Sequence, residues 1–445
     1  IENPGARVLV KTHPETAGNA RRGHFSPADA RGNVALLTAP HAPWALLEGA
    51  VAVYTVSSQL GFEAILAGHR PRVFGQPFYA GWGLTQDEMP PQRRRRKLTR
   101  AQLFAGAMLL YPRWYDPLRD RLCPLEEVID QMEARLQAFR QDRHGHVACG
   151  MRLWKRQQLQ AMFGREKPLI FASSPDRAVA QARAKGRGLI GWASAVPEDF
   201  CGLRIEDGFL RSRGLGAALT PAQSLVVDDL GIYYDPGQES RLERLIRTPL
   251  PPGGADRAQA LMTAITGAGL TKYNIGCGTD ALAQTIRQLR QGRPGAPVIL
   301  VPGQVEDDAS IRLGATGPVR SNRALLATTR AEHPQAILLY KPHPDVEAGL
   351  RPGAVPDAAT LADLVIERAD AAALLALTDE VWTLTSGLGF EALIRGKPVT
   401  CLGAPFYAGW GLTRDLGPVP ARRQARPSTP RPDLATLVHA TLIAY

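Results

Sequence analysis

Four short segments of this chain carry side chains able to do chemistry at useful spacings. Lys341-Pro342-His343-Pro344-Asp345 follows an apolar run, Ala336–Lys341, that reads as a strand. The two prolines fix the backbone around His343, and an imidazole held at the end of a parallel strand suits a phosphate. Thr385-Ser386-Gly387-Leu388-Gly389-Phe390-Glu391 closes one strand and opens a helix. Ser386 stands where an N-cap belongs, the glycines permit close approach, and free N–H groups at a helix start attract an anion. Glu391, about a turn later, can accept hydrogen bonds from a ribose; its plainer role is a salt bridge within the helix, as simple capping is for Ser386. The other two segments are acidic: Arg204-Ile205-Glu206-Asp207-Gly208-Phe209-Leu210-Arg211-Ser212, and Gly303-Gln304-Val305-Glu306-Asp307-Asp308-Ala309-Ser310. Paired carboxylates at strand ends can divide nucleophile and base work. A hard cation at Glu306-Asp307-Asp308 is the rival reading, and a solvated acidic turn the plain one. Neither GxGxxG nor a Walker loop is present at these places, which argues against dinucleotide and ATP sites.

Two of the four segments occur twice. Residues 57–87 and 385–415 are identical at 18 of 31 aligned positions, and VLVKTHPE at 8–15 answers LLYKPHPD at 338–345. Such a period is far longer than the roughly 20–50 residues of solenoid repeats and marks a duplicated domain. His13, Ser58 and Glu63 are the first-copy counterparts of His343, Ser386 and Glu391. The longest shared block is Pro77–Thr85, repeated as Pro405–Thr413. Its aromatic and glycine content suits a binding loop or a packed hinge equally. The acidic segments occur once, in a half that the first copy lacks.

These residues must be positioned by alternating strands and helices. Candidate strands are Pro168–Ala172, Gly188–Ala193, Ser224–Asp229, Pro297–Pro302, Ala336–Lys341, Val381–Thr385 and Pro398–Gly403. Between them, Thr279 is a candidate N-cap for a helix with Leu282, Ile286 and Leu289 on one stripe. Strands alternating with helices predict an α/β fold with largely parallel sheets. The expected organisation is residues 1–118, a helical connector at 119–164 that includes Pro124–Gln141, then 165–330 and 331–445, with a hinge near 317–335. His144, His146 and Cys149 can be drawn as a metal cluster, but a polar linker is the favoured reading and no metal is assigned.

The 445 residues suggest about three domains. With 44% hydrophobic and 21% charged residues the composition is that of an ordinary globular protein. No run of 18 apolar residues exists. The chain opens on Ile1 without a charged-then-apolar leader and reads as a fragment whose first domain lacks its N-terminal part. Five scattered cysteines (Cys123, Cys149, Cys201, Cys277, Cys401) without a CxxC pair favour a reducing cytoplasm. A net charge of +11 implies anionic partners. The sharpest basic run, Arg93–Lys97, has an echo at Arg422, Arg423 and Arg426, and this recurrence predicts a surface role such as meeting anionic headgroups. No aromatic residues interleave with the run, which argues against nucleic acid.

RIEDGFLRS, SLVVDDLGIYYD, TKYN, VPGQVEDDASI, YKPHPDVEAGLR and GFEALIRGKPVTCLGAPFYAGWGLT together resemble the C-terminal module of the KpsC family, bacterial capsule β-Kdo transferases with two tandem modules. VKTHPE and residues 57–87 resemble the second half of that family's N-terminal module. The resemblance implies a GT-B-like glycosyltransferase with two Rossmann-like subdomains, 165–330 on the acceptor side and 331–445 holding the CMP-sugar. Residues 1–118 would be a partial duplicate of the nucleotide-binding half. It implies transfer of β-Kdo from CMP-Kdo, with retention, to a Kdo-terminated lysophosphatidylglycerol. By position the second module resembles the 2→7 enzyme. Asp308 is then the catalytic carboxylate, with Glu206 or Asp207 its partner. His343, Lys341, Ser386 and Thr385 hold the CMP phosphate side, and Glu391 the nucleoside. Arg211, Gln304, Tyr407 and Trp410 are candidate donor or acceptor contacts, Arg211 for the Kdo carboxylate. His13, Ser58 and Glu63 form an orphaned half-site that is expected to be inactive. No cofactor is implied; the expected partners are an anionic glycolipid, the inner face of the inner membrane and the capsule export machinery. The alternatives are a CMP-sialic acid or UDP-sugar transferase of the same fold, and a non-catalytic scaffold of capsule assembly.

Overall fold

The computed structural model describes all residues except 1, 4, 18–22, 40, 215–218, 275–279, 368 and 425–430. Thr279, Cys277 and Arg426 therefore lie outside the described residues. The chain divides into two compact units, Ile1–Gln137 and Ala138–Tyr445.

In the first unit, β1 (Val8–Lys11) pairs in parallel with β2 (Val34–Leu37). A separate parallel sheet takes the order β3 (Tyr54–Thr55), β4 (Arg72–Val73), β5 (Gln86–Asp87). Helix α1 (Leu60–Leu66) packs Phe62 and Ile65 against Val73, Tyr79 and Leu103. A hairpin, β6 (Trp114–Asp116) with β7 (Arg121–Cys123), precedes the long helix α2 (Leu125–Asp142) in which the division between the units falls.

The second unit holds two sheets. The first takes the order β12 (Leu225–Asp228), β11 (Leu203–Asp207), β10 (Gly188–Trp192), β8 (His146–Cys149), β9 (Ile170–Phe171). All its pairings are parallel except β11 with β12. The second is a six-stranded parallel sheet in the order β15 (Leu364–Val365), β14 (Ile337–Lys341), β13 (Val298–Pro302), β16 (Glu380–Thr383), β17 (Val399–Cys401), β18 (Arg414–Asp415). Every residue of β13 is buried, as its unbroken apolar run demands of a central parallel strand. The chain leaves β13 to one side through β14 and β15, then returns to the other through β16 to β18. At such a reversal the loops after adjacent strands diverge and open a crevice at their carboxyl ends. Those loops carry Gln304 to Asp308, His343 and Thr385 to Ser386.

The strand order corrects two expected boundaries. β13 lies inside the six-stranded sheet, so residues 298–330 belong with 331–445 and the division between the sheets precedes β13. The continuity of hydrogen bonding across β13, β14 and β16 decides this, and no local composition reports it. Residues 119–164 are likewise more than a helical connector, because β8 is an interior strand of the five-stranded sheet and Leu153–Phe163 packs Leu159 and Phe163 onto that sheet's core. His146, read as linker, is buried in β8, where its Nε2 lies 2.9 Å from Asp142 Oδ1. β11 was absent from the expected strands because LRIED mixes charge with its apolar residues. Arg204 is nonetheless buried, donating to the carbonyls of Pro197, Glu198 and Phe200.

Candidate functional site

A cleft of about 890 Å³ in the second unit is lined from both sheets. Glu206, Asp207 and Arg211 come from β11 and the loop after it; Gln304 and Asp308 follow β13; Lys341 and His343 end β14; Thr385, Ser386 and Glu391 follow β16. The segments singled out in the sequence, up to 185 residues apart (Glu206 to Glu391), meet on one wall-to-wall surface.

On the β14–β16 side, His343 is the N-cap of a single helical turn, Pro344–Glu347. Its Nδ1 accepts the Asp345 N–H at 3.1 Å, which leaves the ring proton on Nε2 as a donor. Burial lowers the His343 pKa, with Asp345 opposing, so the ring is a neutral donor at neutral pH. Lys341 Nζ is tied at 3.3 Å to both Glu347 and the Pro342 carbonyl. Ser386 caps α3 (Gly387–Ile394), its Oγ accepting the Leu388 N–H at 3.2 Å, while its own N–H donates to Thr383 Oγ1 at 3.1 Å. Gln304 and Thr385 exchange two hydrogen bonds of 3.0 and 2.9 Å, locking the loop after β13 to the end of β16. Gln304 is thereby a brace, with both ends of its amide spent.

Glu391 does not pair within its helix. Its Oε1 accepts the Lys272 backbone N–H at 2.8 Å, 119 residues away in sequence, and its buried Oε2 has no hydrogen-bond partner among the described residues. Burial pushes this carboxyl up to about 7. Glu206 on the opposite sheet is also pushed up to about 7, chiefly by burial, with the Asp207 charge adding to the rise. Asp207 accepts from Arg211 Nε at 2.8 Å and lies 3.6 Å from Lys155 Nζ. Arg211 is buried, and its Nη1 donates to Ser212 Oγ and the Thr220 carbonyl, so much of its fork is committed to the protein. Asp308 is the N-cap of Ala309–Gly314, accepting from both the N–H and Oγ of Ser310, and remains exposed to the cleft. Its charge helps raise the pKa of Tyr233 and Tyr234, whose largest cause is burial.

Several positioning residues gave no signal in the sequence. Asn322, fully buried, donates to the carbonyls of Gln304 and Gly353, accepts the Gln304 N–H, and gives its own N–H to Glu306. Glu306 is therefore spent on shaping the loop, and Asp307 pairs with Arg351 at 2.6 Å. A cation at Glu306-Asp307-Asp308 would have to displace these partners, and the described residues contain no group of three metal-ligating side chains. The TKYN turn is held by Asn274, whose side chain bonds Thr271 and Ser212. A polar residue isolated in a loop, like either asparagine, is unremarkable until its partners are known.

The sequence profile of the capsule polysaccharide biosynthesis protein family matches residues 1–114 and 199–445. The chain belongs to this family. Among solved structures it is similar to the β-Kdo 2,7 transferase of Thermosulfurimonas dismutans KpsC, at 32% identity and a TM-score of 0.51 over 67% of this chain and 89% of that one. The β-Kdo 2,4 transferase of the same protein aligns at 28% identity and a TM-score of 0.52, over 67% of this chain and 91% of that one. The capsule polysaccharide modification protein LipA of Neisseria meningitidis serogroup B is 39% identical over the whole of this chain, which spans 63% of that relative's length. The lipopolysaccharide-processing protein LpsZ of Rhizobium meliloti is 43% identical over 54% of this chain and 53% of its own.

Two expectations for this capsule-family chain are corrected by packing. Tyr407 and Trp410 do not line the cleft. Both are buried, the Tyr407 hydroxyl donating to the Ser386 carbonyl at 2.6 Å and the Trp410 indole to Phe406 at 2.8 Å. Of that block, Pro405 and Phe406 reach the cleft, the Phe406 ring tilted against Phe209 with centroids 4.8 Å apart. The block is a buckle under the start of α3. Arg422 and Arg423 are likewise no surface patch: both pair with the buried carboxylate of Glu243, at 2.6 and 2.7 Å. In the first unit the Ser58 Oγ accepts the Leu60 N–H at the start of α1, Tyr79 donates to the Ser58 carbonyl at 2.5 Å, and Trp82 donates to Phe78, repeating these contacts. His13 and Ser58 are exposed there.

Proposed function

We propose that the second unit is a retaining glycosyltransferase that moves β-Kdo from CMP-Kdo onto a Kdo-terminated lysophosphatidylglycerol, forming a 2→7 linkage in the lipid linker of an exported capsule. One observation carries this reading: a phosphate-suited wall (His343, Ser386 and the start of α3) and a carboxylate wall (Glu206, Asp207, Asp308) line one cleft in a chain of this family. The β-Kdo 2,7 transferase supports the choice of sugar and linkage, with the higher identity of the two KpsC alignments. In this reading the two α/β halves of the second unit form a GT-B pair, and the first unit is a nucleotide-side half without its carboxylate-bearing partner.

The chemistry then runs as follows. CMP sits with its phosphate against the His343 Nε2–H and the N-terminal end of α3, which stabilise the charge that grows as the phosphate departs. Glu391 Oε2, without a hydrogen-bond partner among the described residues, accepts from the ribose. The Asp308 carboxylate attacks the anomeric carbon as the bond to the phosphate oxygen breaks, giving a glycosyl ester and free CMP. An acceptor hydroxyl then attacks the same carbon from the opposite side, expelling Asp308, so two inversions give retention. Glu206 takes the hydroxyl proton, since a carboxyl poised near 7 exchanges protons readily at neutral pH. Asp207, already paired with Arg211 and Lys155, holds those cations in place.

No helix among the described residues is long and apolar enough to cross a membrane; the glycolipid acceptor is proposed to be met at the inner face of the inner membrane, beside the export machinery. The test is incubation with CMP-Kdo generated in situ and a synthetic Kdo-terminated lipid. Mass spectrometry should show one added Kdo and NMR a β-2→7 linkage. Asp308→Ala should lower transfer by at least about a thousandfold while calorimetry shows CMP binding retained. Transfer at the parent rate by Asp308→Ala would remove the nucleophile assignment, and no transfer by the parent would favour a scaffold.

A further inference from the structure

One cation in the cleft wall is left over once the site's internal bonds are counted. Lys155 pairs with Asp207 and lies 3.2 Å from the centre of the Trp192 ring; Arg211 is committed to Asp207, Ser212 and Thr220; Lys341 pairs with Glu347 and Arg351 with Asp307. Arg152 and Arg312 are exposed at the rim. The ammonium of Lys272 lines the cleft 5.5 Å from the centre of the Tyr273 ring and makes no hydrogen bond or ion pair among the described residues.

The backbone of Lys272 is fixed to an unusual degree. Its N–H donates to Glu391 Oε1 at 2.8 Å, and its carbonyl accepts from both Arg211 N–H (3.0 Å) and Ser212 N–H (3.2 Å). Asn274 closes the turn around it. The residue thus stands where the loop after β11 meets α3, at the seam of the two walls. Its charge lowers the pKa of Glu206 and of Glu391, and also that of His343, so it lies within electrostatic reach of both ends of the cleft. Tyr273, then Tyr233, Asp207 and Glu206, hold its ammonium charged against burial. A charged, positioned amine whose hydrogen-bond donors meet no acceptor among the described residues is an anion receptor.

The phosphate has its own donors in His343 and the start of α3. A sugar acid bound for transfer carries its carboxylate on the same carbon that bears the leaving phosphate, so this carboxylate falls between the phosphate wall and the reacting carboxylates. We propose that Lys272 is the specificity-determining cation that receives the carboxylate of a 2-keto sugar acid, the role the sequence had suggested for Arg211. The inference rests on the transferase reading for its substrate class. Two bound sugars can supply the carboxylate, the donor's and the acceptor's terminal residue, and kinetics separates them.

The test compares the parent with Lys272→Met and Lys272→Arg. Lys272→Met should raise the KM of one substrate by roughly 10- to 100-fold, the range of a charge-assisted hydrogen bond, and Lys272→Arg by much less. CMP alone, which has no carboxylate, should bind Lys272→Met as it binds the parent by calorimetry, which also shows that the variant is folded. A rise in the CMP-Kdo KM assigns the donor carboxylate; a rise confined to the lipid acceptor's KM assigns the acceptor's. A matching loss of CMP affinity would give Lys272 to the phosphate and overturn the proposal, as would unchanged kinetics. Should the parent show no transfer, the transferase reading fails but free Kdo still decides: binding by the parent that Lys272→Met loses supports the carboxylate receptor, and no binding by the parent overturns it.

Discussion

The two copies of the repeated segment make the same internal contacts and differ in what covers them. Ser58 and Ser386 each accept the backbone N–H two residues on, Tyr79 and Tyr407 donate to the carbonyls of those serines, and Asp87 and Asp415 accept from Gly81 and Gly409 at 3.0 and 2.9 Å. Yet Phe78 is 43% exposed where Phe406 is 4%, and the His13 side chain is 69% exposed where that of His343 is 23%. Arg94 donates to the carbonyls of Pro77 and Ala80 and has no ion pair among the described residues, whereas Arg423 also meets buried Glu243. Tyr111, which follows the helical turns Ala105–Leu110, is exposed, while Tyr445, at the same place after His439–Ala444, is half-buried and donates to Asp228 at 2.8 Å. The repeated words therefore encode a self-bonded platform. The desolvated, charged site arises only where residues 204–273 pack onto it.

The largest expected effect on this contrast is on CMP binding. His343→Ala should weaken it by roughly 10- to 100-fold, the loss of a hydrogen bond to a charged phosphate, while His13→Ala leaves it unchanged; equal losses would mean that both platforms bind nucleotide. Next comes the clamp. Arg423→Ala leaves the buried Glu243 carboxylate with Arg422 as its remaining guanidinium partner and should cost about 1.5–3 kcal/mol in denaturant unfolding of the second unit, whereas Arg94→Ala should cost about 1 kcal/mol. Gly389→Ala and Gly61→Ala should then act alike, because a Cβ at either position overlaps the hydroxyl of the paired tyrosine. Each should destabilise its unit by about 1–3 kcal/mol, but only Gly389→Ala should also weaken CMP binding. Tyr407→Phe, a milder probe of the same buckle, should cost about 1 kcal/mol.

The smallest effect is a pH slope. Folded Glu206 and Glu391 hold their protons up to about 7, whereas the unfolded carboxyls release them near 4.5. Their contribution to stability is thus complete below 4.5 and is lost as pH rises through 7. The unfolding midpoint of the second unit without ligand should fall between pH 5 and 8, and Glu391→Gln should flatten that fall. A midpoint that rises across this window would mean that these carboxyls are ionised and paired in the folded state.

Much of this was legible in the residues. The strand at 297–302, the helix Asp280–Gly292 and the cap at Ser386 follow from apolar runs, a 3.6-residue stripe and a serine before glycine. The cleft residues were found because their types are costly to hold without a purpose. What escaped were residues whose meaning lies in their partners. Lys272 stands in the TKYN motif with no role assigned to it, Asn322 reads as a loop asparagine, and Arg423 as part of a basic run. β8 and β11 escaped because a histidine and an arginine interrupt their apolar runs, and only the fold shows each satisfied by the segment just before its strand: Asp142 for His146, and the Pro197, Glu198 and Phe200 carbonyls for Arg204.

By itself the sequence determined the α/β class, the duplication, the family, and which residue types stand at the strand ends. Those features are local: periodicity, caps and repeated words act over a few turns of chain. Only the tertiary structure decided that β13 joins the later sheet, that Tyr407 and Trp410 face inward, that Glu391 reaches across to Lys272, and that Glu206 and Glu391 sit in surroundings dry enough to keep their protons. Strand order and desolvation are set by contacts between segments far apart in the chain, and no window of neighbouring residues contains them.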